Sequence, residues 1–185
     1  MQTLTVDVFV SVDGYAKGEE SPGYFGYFGP GLDEWINTEL ARPQLAVFGR
    51  RTYEVLAGMP AQAMADSPLA GLDKVVFSRT LESTSWPKTR LCREDAVAEV
   101  ARLKADGEVP LRTIGSLSLA RQLCDAGLVD RLRLMTFPLF AGPTGSEPAF
   151  ADLAAGDLEL VDHRVLDGRV LLVEYRPTGR DIPRG

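Results

Sequence analysis

Leu45-Ala46-Val47-Phe48-Gly49-Arg50-Arg51-Thr52-Tyr53-Glu54 begins as an apolar run and ends abruptly in a glycine, two arginines and a threonine. The run reads as a sheet strand, and the residues after Gly49 read as a helix start. A strand end that delivers guanidinium groups beside a free helix N-terminus is a trap for phosphate. Unpaired backbone N–H groups and the positive end of the helix dipole converge there. The same residues also suit a plain solvated turn, so the rest of the chain has to decide between the two.

Outward from this stretch, strands and helices alternate. Residues 3–11 are β-branched and apolar and read as a strand. A glycine- and aromatic-rich segment without periodicity comes next, with Tyr24, Phe25, Tyr27 and Phe28 between glycines, in the manner of a binding loop or lid. Residues 31–41 turn helical, with Leu32, Trp35, Ile36 and Leu40 on one face and Asp33 at its edge. After the strand at 45–48 and a short helix at about 51–56, further strands are expected at 74–77, near 90–92 and at 111–114. Asp95 caps a helix to about residue 105, and a second helix runs from Ser116 to Asp125 and stops at Gly127. Residues 130–140 read as a long strand, and 157–166 with 169–176 form a hairpin across Asp167-Gly168. The pattern predicts an α/β fold with a mixed, mainly parallel sheet, helices on both faces and a C-terminal antiparallel hairpin. One domain over residues 1–178 and a flexible tail at 179–185 are expected.

At 185 residues the chain is long enough to bury a full core without disulfides or metals. Its formal net charge of -6 argues against broad nucleic-acid or acidic-membrane binding, while local arginines still allow a small anionic ligand. Cys92 and Cys124 are far apart and outside any zinc-like spacing, and His163 is the sole histidine, so no metal site is expected. Residues 1–12 lack the pattern of an export signal, and no apolar run reaches membrane-spanning length, which suggests a reduced, cytoplasmic setting.

Three apolar strands stop at short polar groups: Gly49-Arg50-Arg51-Thr52, Ser78-Arg79-Thr80 and Gly115-Ser116-Leu117-Ser118. In parallel sheets ligands bind outside the carboxyl ends of strands. Two of the stops open helices and offer backbone donors to a diphosphate. At the third, Ser78 and Arg79 stand where an NAD site usually has an acid, and they suit a 2′-phosphate, favouring NADP.

These motifs, with Ser11-Val12-Asp13-Gly14, Gly127-Leu128-Val129-Asp130-Arg131-Leu132 and Pro138-Leu139-Phe140-Ala141-Gly142, occur in matching order over nearly the whole length. By them the chain resembles the dihydrofolate reductase superfamily, and more closely the reductase domain of bacterial bifunctional riboflavin-biosynthesis enzymes. The resemblance implies a dihydrofolate-reductase-like three-layer fold and an NADPH cofactor. Gly49, Arg50, Arg51 and Thr52 would hold phosphates, Ser78 and Arg79 the 2′-phosphate, and Gly115, Ser116, Leu117 and Ser118 the diphosphate and nicotinamide side. It also implies a pyrimidine- or pterin-like small-molecule substrate and a homodimer. Gly115-Ser116 departs from the family's usual glycine pair, and no companion zinc deaminase domain is present in this sequence.

Hydride transfer needs little from the protein beyond alignment and proton management. For a pterin the resemblance implies a carboxylate on the first helix that grips the ring and promotes its protonation. Asp33 is the candidate catalytic acid by that resemblance, and a place beside an apolar face would also desolvate it. It equally suits the dipole of a helix's first turn. Asp13, Gly14, Tyr24 and Tyr27 are the candidate substrate-binding residues, the tyrosines by stacking on a flat ring or closing over it. A substrate phosphate would need a basic group, for which the sequence does not choose between Lys17 and Arg42. Two alternatives stay open: a true dihydrofolate reductase resting on Asp33, and an NADP-binding regulatory module without turnover.

Overall fold

The computed structural model describes residues 1–21, 23–60, 62 and 67–183. Eight strands form one sheet: β1 (Leu4–Ser11), β2 (Leu45–Gly49), β3 (Asp73–Phe77), β4 (Thr89–Cys92), β5 (Leu111–Ile114), β6 (Arg131–Phe137), β7 (Leu158–Leu166) and β8 (Val170–Pro177). Their order across the sheet is β4-β3-β2-β5-β1-β6-β8-β7. The first six are parallel, and β8 then runs antiparallel to both β6 and β7. This is the mixed sheet with a terminal hairpin that the alternation predicts.

Among the described residues the helices with full bounds are α1 (Pro30–Leu40), α2 (Arg50–Ala57), α3 (Ala96–Asp106) and α4 (Leu117–Asp125). Alternation along each strand sends side chains to opposite faces. On one face Leu4, Val6, Val8, Val47, Val75 and Leu111 meet Val100 of α3 and Leu119 and Leu123 of α4. On the other, Ala46, Phe48 and Val76 meet Leu40 of α1 and Tyr53 of α2. Phe48 is fully buried, and a side chain of that size contributes roughly 1.5–3 kcal/mol by leaving water.

Element boundaries agree with the sequence reading to within a few residues, with one larger difference. The strand expected at 130–140 ends at Phe137. Pro138 has no N–H for a ladder, and Leu139 instead turns its N–H onto the Phe137 carbonyl at 2.8 Å. At the far end, Thr178 and Arg180 are both hydrogen-bonded to Asp157, which ties the first residues after β8 to the start of β7.

The hairpin also fixes α1. Gly29 precedes that helix and offers no side-chain cap. The Asp167 carboxylate, from the turn between β7 and β8, accepts from the Gly31 N–H at 2.7 Å and the Leu32 N–H at 2.9 Å. A remote carboxylate thus fills the role of an N-cap and also meets the positive end of the helix dipole. A Cβ on Gly29 would stand 2.7 Å from that carboxylate, so a side chain there would have to displace the group that caps the helix.

Candidate functional site

β3, β2 and β5 are consecutive in the sheet, so the three polar stops emerge side by side at its carboxyl edge. Gly49 stands opposite Phe77, and Val47 opposite Thr113, which brings Gly49 level with the Gly115-Ser116 turn. Two hydrogen bonds join these stops: the Gly49 N–H donates to Ser116 Oγ at 3.0 Å, and Thr52 Oγ1 donates to the Gly115 carbonyl at 3.4 Å. On the third strand end the Ser78 hydroxyl accepts from the Thr80 and Leu81 N–H groups at 3.2 and 2.9 Å, folding that segment into a turn.

The cluster has the features a polyanionic nucleotide requires. Neither α2 nor α4 has a side-chain cap, and both start here with the donor-rich ends of their dipoles. Gly115 has φ +66°, and a Cβ built there would meet nothing within 4 Å, so the backbone is open to close approach. Arg51 and Arg79 are exposed and form no ion pair among the described residues. Arg50 is bound to Glu54 one turn on, at 2.9 Å. Ser118 is exposed, whereas the half-buried Leu117 packs against the core and shapes the turn through its backbone.

The residues expected on the substrate side fare differently. Asp33 is exposed, its carboxylate accepting from Asn37 Nδ2 at 3.0 Å; the desolvation expected of it is absent, because it sits on the outer side of α1. The Asp13 carboxylate is already committed. It accepts from Ser11 Oγ at 2.6 Å and from the Ala141 and Gly142 N–H groups at 2.9 and 2.8 Å. Those hydrogen bonds, Ser11's foremost, lower its pKa from 3.8 to about 2. Asp13 therefore clamps the loops after β1 and β6 together. Gly14, at φ +83°, makes the intervening turn. Lys17 is exposed, and Arg42 pairs with Glu39 at 2.8 Å.

The aromatic segment is folded down onto the sheet. Tyr24 packs edge-on against Phe9 at 5.2 Å between ring centres, and Phe25 and Tyr27 lie 5.6 and 6.3 Å from Phe137. Tyr27 also donates to the Pro138 carbonyl at 3.4 Å and stacks beneath Arg169. Burial raises the pKa of Tyr24, and Arg112, Asp7 and Asp33 also act on its hydroxyl.

Beneath this segment lies a charged group that the sequence reading missed. Asp7 of β1, Arg112 of β5, Arg133 of β6 and Glu39 of α1 are 2%, 4%, 7% and 8% exposed. Arg133 Nε donates to Asp7 Oδ1 at 2.7 Å and its Nη1 to Glu39 Oε2 at 2.5 Å. Arg112 donates through Nε to Asp7 Oδ2 at 2.7 Å, and its Nη2 pairs with the same oxygen. Both guanidiniums face the Trp35 ring, with Cζ 5.5 Å (Arg112) and 4.9 Å (Arg133) from its centre. Burial works against the charge of Arg133, but Asp7 and Glu39 outweigh it and its pKa is raised.

A family model for the RibD C-terminal domain matches residues 2–172. No match was found among curated proteins. Solved structures with the same fold include a protein from Shewanella sp. PV-4 assigned to riboflavin biosynthesis, with TM-score 0.73 and 19% identity, covering 96% of this chain and 99% of that one. A pyrimidine reductase-like protein from Corynebacterium diphtheriae has TM-score 0.69 and 15% identity, covering 97% and 93%. A diaminohydroxyphosphoribosylaminopyrimidine deaminase/5-amino-6-(5-phosphoribosylamino)uracil reductase from Thermotoga maritima has TM-score 0.68 and 13% identity, and this chain spans 56% of its length. The fold is the dihydrofolate-reductase-like three-layer arrangement, and with the model matched over nearly its whole length the chain belongs to the RibD C-terminal domain family.

Proposed function

We propose that the protein is an NADPH-dependent reductase of a pyrimidine- or pterin-like heterocycle, similar to the 5-amino-6-(5-phosphoribosylamino)uracil reductase named among its structural relatives. The observation that carries this reading is the side-by-side placement of the three polar strand ends, two of them joined through Gly49 and Ser116. Bound there, the nicotinamide supplies the hydride. The protein's own residues bind and orient. The uncapped starts of α2 and α4 donate N–H groups to the diphosphate. The open backbone at Gly115 lets the nucleotide approach, and Arg51 adds charge. Ser78 and Arg79 hold the 2′-phosphate, the arginine as a charge-assisted donor. Asp33, on which the dihydrofolate alternative rested, stands in solvent and supports that alternative less.

The working unit we propose is a homodimer joined through the outer hairpin. Leu158, Leu160, Val165 and Leu171 lie on one face of β7 and β8 and are 43%, 57%, 62% and 40% exposed, an apolar patch suited to a second copy. Sedimentation of Val165→Arg as a monomer and of the parent as a dimer is the expected result.

Loss of absorbance at 340 nm with NADPH and a ribosylaminouracil phosphate tests turnover directly. Arg79→Ala should weaken NADPH binding about tenfold or more and leave NADH within about twofold. Equal losses for the two coenzymes would remove the 2′-phosphate assignment. NADPH binding without turnover of any such ring would favour the regulatory module.

A further inference from the structure

The buried charged group leaves one donor unused. Asp7 holds Arg112 through Nε and Nη2. Arg112 Nη1, on the other side of the guanidinium, is buried and has no hydrogen-bond partner among the described residues. Buried donors are nearly always satisfied, and an unmade one on a charged group is costly. The surroundings state what would satisfy it. Trp35 provides a flat aromatic wall 5.5 Å from the same guanidinium. Tyr24, packed on Phe9 of β1 and Phe137 of β6, has a hydroxyl near enough to feel the charges of Arg112 and Asp7. Tyr24 and Phe25 have φ 52° and 51°, a left-handed conformation unfavourable for side-chain-bearing residues, held here by ring packing on Phe9 and Phe137. Arg112 also lies three residues before Gly115, on the strand that ends in the nucleotide cluster.

We infer that Arg112 Nη1 reads a ring carbonyl of a flat heterocyclic substrate that enters beneath the aromatic segment and lies beside Trp35. This rests on the reductase reading for its substrate class. Asp7 is then a positioning residue: it fixes the guanidinium plane so that the free donor meets the ring without reorganisation. A site that donates to a carbonyl discriminates strongly against the analogue that lacks one, because the donor is left unpaired.

The test uses Trp86→Phe protein, in which Trp35 is the sole tryptophan. 5,6-Diaminouracil should quench Trp35 fluorescence saturably, and 4,5-diaminopyrimidine, which lacks both carbonyls, should bind about tenfold or more weakly. Arg112→Lys in the same background should weaken the uracil by about tenfold or more while NADPH binding stays within about twofold. Equal affinity for the two rings, absence of saturable quenching, or an Arg112→Lys protein that binds as the parent does would overturn the inference. Should Arg112→Lys lack a cooperative urea transition, the comparison of rings decides alone. NADPH titration reports separately: carbonyl-dependent quenching without NADPH binding would sink the reductase reading and leave the role of Arg112 intact.

Discussion

At the carboxyl ends of β2, β3 and β5, arginines stand in solvent and the framework around them is made of backbone and hydroxyl contacts. A few residues away, beneath α1, two other arginines are buried and closed around Asp7 and Glu39. The difference separates two uses of the same side chain. An exposed guanidinium contributes little to stability and stays free to meet a ligand. A buried one is tied into the fold, because its desolvation must be offset by partners already in place, and at Arg112 only the donor left over at Nη1 can meet a ligand.

The sharpest way to break this comparison is to remove the shared carboxylate. Asp7→Ala leaves Arg112 without a carboxylate and Arg133 with Glu39 alone. Loss of one partner from a buried ionic group costs about 3–5 kcal/mol. The midpoint of urea unfolding should fall accordingly, whereas Arg51→Ala, at the exposed cluster, should change stability by less than about 0.5 kcal/mol. Similar effects at the two positions would show that the buried group is no more structural than the exposed one.

A smaller effect is expected from Asp13, which belongs to the strand-end side yet serves as a clamp. Its folded pKa of about 2 lies below its ordinary 3.8, so its contribution is present above pH 3.8 and is lost as pH falls toward 2. Asp13→Asn should therefore flatten the acid limb of stability between those values. An unchanged profile of urea midpoint against pH would show that the contacts to Ala141 and Gly142 do not depend on its charge.

The two regions are also unequally legible in the sequence. Gly49, Arg50, Ser78 and Gly115 break apolar runs, and such breaks are visible in one dimension because strand ends are set by local pattern. Their meeting follows from topology, since parallel strands bring their carboxyl ends to one edge. Asp7, Arg112 and Arg133 give a weaker signal, each a single charge within an otherwise apolar strand. Glu39 lies four residues after Trp35 and so on the same helical face, a placement that spacing alone supports. Their pairing depends on sequence separations of 94 to 126 residues, which no local pattern carries. Asp33 departs from expectation for a related reason: a residue at the edge of an apolar face is buried only if a neighbouring element covers it.

The smallest effect, at Ser116, tests whether the exposed cluster is also held by internal bonds. Ser116 stands where the family usually has a second glycine, and its hydroxyl accepts the Gly49 N–H instead of capping α4. A serine in this place links two of the three strand ends before any ligand arrives. Ser116→Gly removes that link at a φ of -85°, where glycine gains no relief from strain. Stability should fall by about 0.5–1.5 kcal/mol. On the proposed reading the NADPH dissociation constant should rise a few-fold at most, since backbone donors would supply most of the diphosphate contacts. Tighter NADPH binding in the variant would show that the serine side chain crowds the diphosphate, and the serine would then be an obstacle in the cradle and not a brace for it.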